Sequence, residues 1–297
     1  MLIYMTAYMK KRLKSSPKLS IIIVSFNTKK LLRECLLSLE RVRGEVSFEV
    51  IVSDNGSEDG SVDMVKNFSW VKLIENRQNL GFAKGNNVAR EVASGEYILF
   101  LNSDTRVFKN TLKESTTYLA KHKDVGSLTC KIVLPNGKLD RDTRRRFPTP
   151  MIAAKRLFLG LPRDYWYLDV NPEKTHEVEV VQGAFHLTRK KVLDKVDWFD
   201  EDYFLDGEDV DLCWKIKQLG YKIIYYPKVS ITHVKRASKR FNRNSLTVTS
   251  GIKAMEIFYR KRLWNKYPFY INYLVLFGIK ILLLVRLTKF KLLSFRA

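Results

Sequence analysis

The sequence predicts an α/β fold: a mainly parallel central sheet flanked by helices, with a helical appendage at the C-terminus. Three observations predict it. Short, uncharged, β-branched runs alternate with stretches of helical period, each run ends in a polar segment, and the connections are short. Parallel strands joined by right-handed crossovers produce that rhythm.

Leu19 to Val24 (Leu-Ser-Ile-Ile-Ile-Val) reads as a buried strand, closed by the polar end Ser25-Phe26-Asn27. Leu31, Leu32, Cys35, Leu36 and Leu39 then follow at helical spacing. Phe48 to Val52 is the second strand, and Ser53 to Ser61, rich in Asp, Asn, Gly and Ser, is the turn after it. A helix through Val62 and Val65 and a short strand from Val71 to Ile74 come next. Asn79 to Asn87 leads into a helix that stops near Gly95. Tyr97 to Leu101 is wholly apolar and reads as a central strand buried on both faces, ending at Asn102-Ser103-Asp104.

Beyond Asp104 the alternation is less regular. Leu112 to Lys121 has helical spacing, and Val125 to Leu134 is extended up to a Pro135-Asn136-Gly137 turn. Arg141 to Pro172, rich in Arg, Pro and aromatics without a period, reads as a long functional loop or partial lid. Val178 to Leu187 reads as one strand, with Gly183 permitting close backbone approach. Leu212, Ile216 and Leu219, stopped by Gly220, mark a helix with Glu208 and Asp209 in its first turn. Val229 to Thr232 is a strand ending at His233.

The chain has 297 residues with 45% hydrophobic content, enough for one large α/β domain and an appendage. We divide it into a basic and apolar arm (1–17), an α/β domain (18–245) and a helical C-terminal region (246–297). The order of the arm, apolar before basic, is wrong for a secretory signal. Fifty-three Lys and Arg stand against 31 Asp and Glu, a net charge of +22. That balance calls for a polyanionic partner: a membrane surface, phosphorylated substrates or nucleic acid. No helix-turn-helix, zinc or RNA-binding sheet motif supports nucleic acid, so none is expected. Cys35, Cys130 and Cys213 are far apart and set among apolar neighbours, which argues against disulfides and zinc.

Several residue groups are positioned for chemistry, each with a plainer reading beside it. Open α/β sheets bind ligands at the carboxyl ends of their strands, where Asp54 and Asp104 fall. Asp104 could hold a cation there or simply start a turn. Asp54 with Asn55 could meet a nucleobase or ribose, or form a turn that caps the next helix. Asn79-Leu80-Gly81-Phe82 resembles a backbone cradle for anions, with Lys84 as a nearby cation. Glu208 and Asp209 lie in a run of carboxylates between Asp200 and Asp211, richer in acid than one helix dipole requires, so a general base is the sharper reading. Asp211 has Lys215 four residues on as an alternative partner. His233 stands beside Lys235 and Arg236, as a ligand to a metal on a diphosphate or as a structural residue. Arg141, Arg144, Arg145 and Arg146 are solvated surface or an anion clamp. Phe269 to Val285 is apolar apart from Asn272 and Lys280. It falls short of the about 20 apolar residues of a spanning helix, so a helix lying in the membrane interface is expected, the plainer reading being a helix packed on the protein's own core.

In combination and order, these motifs resemble the family 2 glycosyltransferases, nearest to bacterial rhamnosyltransferase-like members. The residues that carry the resemblance are Val24-Ser25-Phe26-Asn27, the run from Val52 to Ser61, Asn79 to Asn87, and Leu101-Asn102-Ser103-Asp104-Thr105. Gln182-Gly183-Ala184-Phe185, Phe199-Asp200-Glu201, Gly207 to Cys213 and His233 follow in the same order, so the match runs from about residue 18 to 240. The resemblance implies a GT-A fold, a dTDP- or UDP-linked sugar donor (rhamnose among the candidates) and inverting, Mg²⁺- or Mn²⁺-assisted transfer. Asp104 and His233 would then ligate the metal, and Asp209, with Glu208 as alternate, would be the base. Ser25, Asn27, Asp54, Asn55, Gly81, Lys84, Asn102, Ser103, Arg236 and Ser238 would contact the nucleotide. Gln182, Gly183 and Ala184 would contact the donor sugar or acceptor. The family's Asp-x-Asp motif begins here with Asn102, and Arg236 occupies a position where the family often has Gly. The acceptor implied is a saccharide or a polyprenyl-diphosphate-linked glycan of cell-envelope synthesis. The implied location is the cytoplasmic face of the membrane, peripheral or monotopic. Two rivals remain open: a nucleotidyltransferase of similar fold, and a non-catalytic sugar- or nucleic-acid-binding module.

Overall fold

The computed structural model describes residues 17–235 and 245–294; the N-terminal arm, except Pro17, and the positions Arg236 and Ser238 lie outside them. The first half builds as expected. Strand β1 (Leu19–Ser25), helix α1 (Lys29–Arg41), β2 (Phe48–Asp54), α2 (Ser61–Lys66), β3 (Val71–Glu75), α3 (Gly81–Asn87) and β4 (Tyr97–Leu101) alternate. They form the parallel block β3-β2-β1-β4. Helix α3 ends at Asn87, well before Gly95, and turns fill the gap.

The second half is mixed. It comprises β5 (Thr105–Val107), α4 (Thr111–Lys121), β6 (Val125–Val133), β7 (Arg144–Arg145), α5 (Pro150–Leu157), β8 (His176–Glu177), β9 (Val180–Val181), β10 (Phe185–Arg189), α6 (Lys190–Val196), α7 (Glu208–Gln218) and β11 (Lys222–His233). Strand β10 runs antiparallel to β4 and β6, β11 parallel to β6, and β5 antiparallel to β11. The nine-stranded sheet thus reads β3-β2-β1-β4-β10-β6-β11-β5, with β8 on β11. The expected single strand from Val178 to Leu187 breaks at Gln182-Gly183-Ala184 into β9 and β10. Part of the expected loop 141–172 is helical: Pro150 opens α5, and the Thr149 side chain accepts from the Ile152 N–H as its cap.

Alternating side chains of one strand enter opposite cores, as the period of two requires. Ile21 and Ile23 pack with Leu32, Cys35 and Leu36 of α1, while Ile22 packs on the other face with Ile98 and Phe100. The C-terminal region shares the second core. Helix α8 (Ser245–Phe258) supplies Ala254 and Phe258, and Tyr259, Leu263 and Leu276 join them. Helix α9 (Phe269–Ser294) follows after a tight corner. Asn272 braces that corner: its amide donates to the Trp264 and Tyr267 carbonyls and accepts from the Tyr259 hydroxyl at 2.7 Å. The apolar segment Phe269–Leu292 is 24 residues long, long and apolar enough to cross a membrane, and mostly uncovered by the protein. The helix continues past Val285 and Lys280, beyond the length the sequence run suggested.

One polar residue sits oddly in the core. His186 of β10, opposite Phe100 of β4, is fully buried with neither ring nitrogen hydrogen-bonded. Burial, and then the nearby Arg145 guanidinium, push its pKa down to about 3. Below its ordinary pKa the unfolded chain takes up a proton that the folded chain refuses, so acid destabilises the fold through this residue. The expected outcome is that His186→Leu gains stability relative to the native chain, on the order of 3 kcal/mol, as pH falls from about 7 to about 4. Denaturant unfolding of both proteins across that range checks it; parallel pH profiles would refute the assignment.

Candidate active site

The carboxyl ends of β1, β2 and β4 share one edge of the sheet, and a cleft of about 440 Å³ opens beside them. Its lining joins two acidic groups from distant parts of the chain. Asn102, Ser103, Asp104 and His233 form one; Glu208 and Asp209 form the other; Gln182, Gly183 and Ala184 also line it.

Asp104 meets His233 because β5 begins one residue after Asp104 and pairs antiparallel with the end of β11. His233 lies opposite Thr105, and the Val234 N–H donates to the Asp104 carbonyl at 2.9 Å. The imidazole Nε2 lies 3.1 Å from Asp104 Oδ1, and Nδ1 lies 3.6 Å from Asp140 Oδ2. Burial alone would lower the His233 pKa, but the adjoining Asp104 and Asp140 carboxylates lift it to about 9. Asp140 is itself buried, which would raise its pKa, yet the nearby His233 imidazole and the bond from Lys235 hold it well below the carboxylate range. Lys235 Nζ bridges Asp140 at 2.8 Å and Asp142 at 2.5 Å.

This donor set fits a divalent cation. A carboxylate oxygen and an imidazole nitrogen 3.1 Å apart have the spacing of neighbouring donors on one ion with bonds of roughly 2.1 Å. A carboxylate behind the outer nitrogen of a ligating histidine is the usual orienting arrangement. The described residues hold no group of three His, Cys, Asp or Glu that could bind a metal unaided.

Glu208 and Asp209 sit in the first turn of α7, as the spacing predicted. Asp209 Oδ2 accepts from Arg145 at 2.5 Å. Arg145 is held there by the short pairing of β7 with β9 and by a bond to the Val181 carbonyl. Burial works against the Arg145 charge, but Asp209 restores it, so the guanidinium stays protonated. Three of the four arginines are therefore engaged inside the protein, while Arg141 is exposed. Arg144 donates to the Val170 carbonyl and stacks over Tyr225, Arg146 stacks over Tyr167, and Arg141 over Trp166.

The acidic run also has internal partners. Lys261 pairs with Asp200 and Asp202, and Arg262 grips both oxygens of Asp211 at 2.7 and 3.0 Å. Much of the acid excess thus docks the basic turn between α8 and α9. The expected Asp211–Lys215 pair is present only at 4.0 Å, while Lys215 Nζ donates to the Val196 and Trp198 carbonyls.

The Asn79-Leu80-Gly81-Phe82 segment is no open anion cradle. Asn79 Oδ1 takes the Gly81 N–H and the Phe204 carbonyl takes the Phe82 N–H at 2.7 Å. Gly81 has φ +78°, and a Cβ there would lie 2.2 Å from the Phe204 oxygen. The segment instead clamps the loop that leads into α7. Asn55 lines the cleft but also knits this clamp, donating to the Gly81 carbonyl at 2.9 Å.

Ser25, Asn27, Asp54 and Lys84 are not among the cleft's lining residues. Asp54 accepts from the Ser57 N–H and hydroxyl, both at 2.7 Å, so its carboxylate closes the turn after β2. Asn27 locks the same loop through the Ser57 hydroxyl and Glu58 N–H. Ser25 supports Thr28, whose hydroxyl donates to Ser103. Lys84 is exposed and lies 4.0 Å from Glu201. Lining residues that sequence reasoning did not single out include Asp142, Arg156 and Tyr165. Only their tertiary neighbours distinguish them.

Residues 20–197 match the family model "Glycosyl transferase family 2". Over 240 residues the chain is 26% identical to the N-acetylglucosaminyl-diphospho-decaprenol L-rhamnosyltransferase of Mycobacterium tuberculosis, covering 74% of this chain and 77% of that protein. It is also 26% identical to the O-antigen biosynthesis protein RfbC of Myxococcus xanthus, covering 76% of this chain but only 18% of that longer protein. The fold is similar to that of the mannosyltransferase PcManGT from Pyrobaculum calidifontis, solved in complex with GDP-Man and Mn²⁺. The TM-score is 0.57 at 21% identity, covering 86% of this chain and 71% of that one.

Two substitutions test the geometry. Gly81→Ala forces a side chain against the Phe204 backbone at positive φ and should cost about 2 kcal/mol or more, read as a lowered unfolding midpoint. Arg145→Leu strands the buried Asp209 carboxylate and should cost on the order of 3–5 kcal/mol. The double change Arg145→Leu with Asp209→Leu should recover part of that loss, and a double-mutant cycle without coupling would contradict the pairing.

Proposed function

The chain belongs to glycosyltransferase family 2, and on that footing we propose that it moves a sugar from a nucleoside-diphosphate donor to an acceptor hydroxyl in cell-envelope glycan synthesis. The donor we favour is dTDP- or UDP-linked, with rhamnose the leading sugar. The acceptor we favour is a saccharide on a polyprenyl diphosphate. What carries the reading is one observation: Asp104 with His233 and Glu208 with Asp209 line the same cleft.

In the proposed inverting reaction, Asp209 takes the proton of the acceptor hydroxyl as that oxygen attacks the anomeric carbon. The bond to the diphosphate breaks and the leaving group keeps the electron pair. Arg145 binds Oδ2 and so directs Oδ1 toward the acceptor, while Glu208 is the alternate base. Asp104 and His233 would hold a divalent cation, with Asp140 steadying the imidazole; the mixed oxygen and nitrogen pair suits Mn²⁺ better than Mg²⁺. When bound, the ion supplies charge neutralisation to the departing diphosphate. Asn102 and Ser103, which line the cleft, would orient the same group, and Gln182, Gly183 and Ala184 would meet the sugar or acceptor. Asn55 and Gly81 line the side of the cleft where the nucleotide would lie, and Ser25, Asn27 and Asp54 shape the loops behind it. Helix α9 would bring the enzyme to the membrane, on its cytoplasmic face, whether lying on it or crossing it.

The test is a panel of nucleotide sugars with Mn²⁺ and a polyprenyl-diphosphate saccharide, products read by mass spectrometry. The expected product gains one sugar and releases a nucleoside diphosphate. A product bearing a nucleotide would favour a nucleotidyltransferase, and binding without turnover would favour a module. Asp104→Asn and Asp209→Asn should each lower turnover by about a hundredfold or more, with the fold retained by circular dichroism. Turnover within about threefold of native in Asp104→Asn would sink the assignment.

A further inference from the structure

The short segment at the end of α5, Leu157-Phe158-Leu159-Gly160-Leu161, is an apolar knuckle that the fold leaves bare. Phe158 is 60% exposed, Leu159 66% and Leu161 57%. A turn built for water would not carry three such side chains in a row around one glycine. The knuckle is not isolated. A Cβ built at Gly278 of α9 would lie 3.8 Å from the Phe158 ring, so the knuckle abuts the apolar helix, where Phe277 is 62% exposed. On its other side it joins the candidate active site directly, because Arg156, the residue before Leu157, lines the cleft.

The charge around this surface selects its partner. Arg163 is exposed beyond the knuckle, Lys280 and Arg286 lie along α9, and the whole chain carries +22. Protein interfaces are depleted of lysine at their apolar centres, whereas surfaces that enter the headgroup region combine apolar side chains with Lys and Arg. The adjoining helix has the length and hydropathy to meet a bilayer.

We propose that the 157–161 knuckle inserts into an anionic lipid leaflet beside α9, and so sets the cleft mouth at Arg156 at headgroup level. A diphosphate-linked acceptor held in that leaflet would present its charged group at the same depth as the cleft. This inference rests on the lipid-linked acceptor proposed above and adds to it where the lipid surface lies.

The native cysteines make a clean experiment possible. Cys35, Cys130 and Cys213 are fully buried, so a cysteine introduced at the surface takes a thiol-reactive probe alone. The full chain carrying Leu159→Cys, and separately Phe277→Cys, is labelled with an environment-sensitive fluorophore. Each is mixed with phosphatidylglycerol–phosphatidylethanolamine vesicles containing lipids spin-labelled near the headgroup. The proposal expects both labels to shift to the blue and to be quenched by about twofold or more. Quenching at 277 with none at 159 overturns the knuckle while leaving the membrane reading of α9 intact. Quenching at neither position overturns both. A label at 159 shielded before vesicles are added, in a protein that sediments as a dimer, also overturns it, because the surface then belongs to a second copy. As a second arm, Phe158→Ser with Leu159→Ser should cut turnover of a long-chain lipid acceptor in vesicles by roughly tenfold, with a water-soluble acceptor unaffected. Equal loss on both acceptors would mark the knuckle as merely structural and overturn the proposal.

Discussion

The site depends on one antiparallel pairing of three residues, β5 on β11. Without it, Asp104 would end a strand as a solvated turn residue and His233 would end another. With it, a carboxylate oxygen and an imidazole nitrogen are held 3.1 Å apart. The backbone bond from Val234 to the Asp104 carbonyl fixes the spacing independently of either side chain. Asp140 then backs the imidazole and Lys235 in turn holds Asp140, so the group is stiffened from behind as well as at its base. Such support from beyond the first contacts is what keeps a polar constellation in one geometry.

The other acidic group is positioned by a different device. Gly81 and the Phe82 N–H grip the Phe204 carbonyl, which holds the loop entering α7. Arg145 reaches Asp209 from a two-residue strand on a separate small sheet. The charges of this basic chain are therefore far from uniform. The arginines nearest the cleft are spent on carboxylates, carbonyls and aromatic faces, while exposed cations remain on and near α9. A buried pair such as Arg145 with Asp209 gains little net stability over an apolar pair, so its value lies in fixing direction.

The C-terminal region is bound to the domain by the same economy. Lys261 and Arg262 meet Asp200, Asp202 and Asp211, and Ala254 and Phe258 join the core behind α7. Helix α9 leaves that anchored base with most of its apolar surface uncovered, alongside the equally bare knuckle at the end of α5. Anchoring the helix foot through Asn272 means that whatever α9 contacts is set at a defined place relative to the cleft.

The sequence by itself determined the parallel block and its helices, because strands buried on both faces write short apolar, β-branched runs, set apart here by the helical spacing between them. It also located Asp104, Glu208, Asp209 and His233, since strand ends and first helical turns are local features. Tertiary structure alone decided which of the other polar residues reach the cleft. Asp54, Asn27 and Lys84 were as prominent in the sequence as Asp104, yet their partners Ser57, Glu58 and Glu201 keep them to loops and surface. Arg145, hidden in a charge run, proved to be the partner of Asp209. The break at Gly183 and the antiparallel turn of β10 were equally invisible, for pairing direction and ion-pair choice are set by residues distant in the chain, and no local period records them.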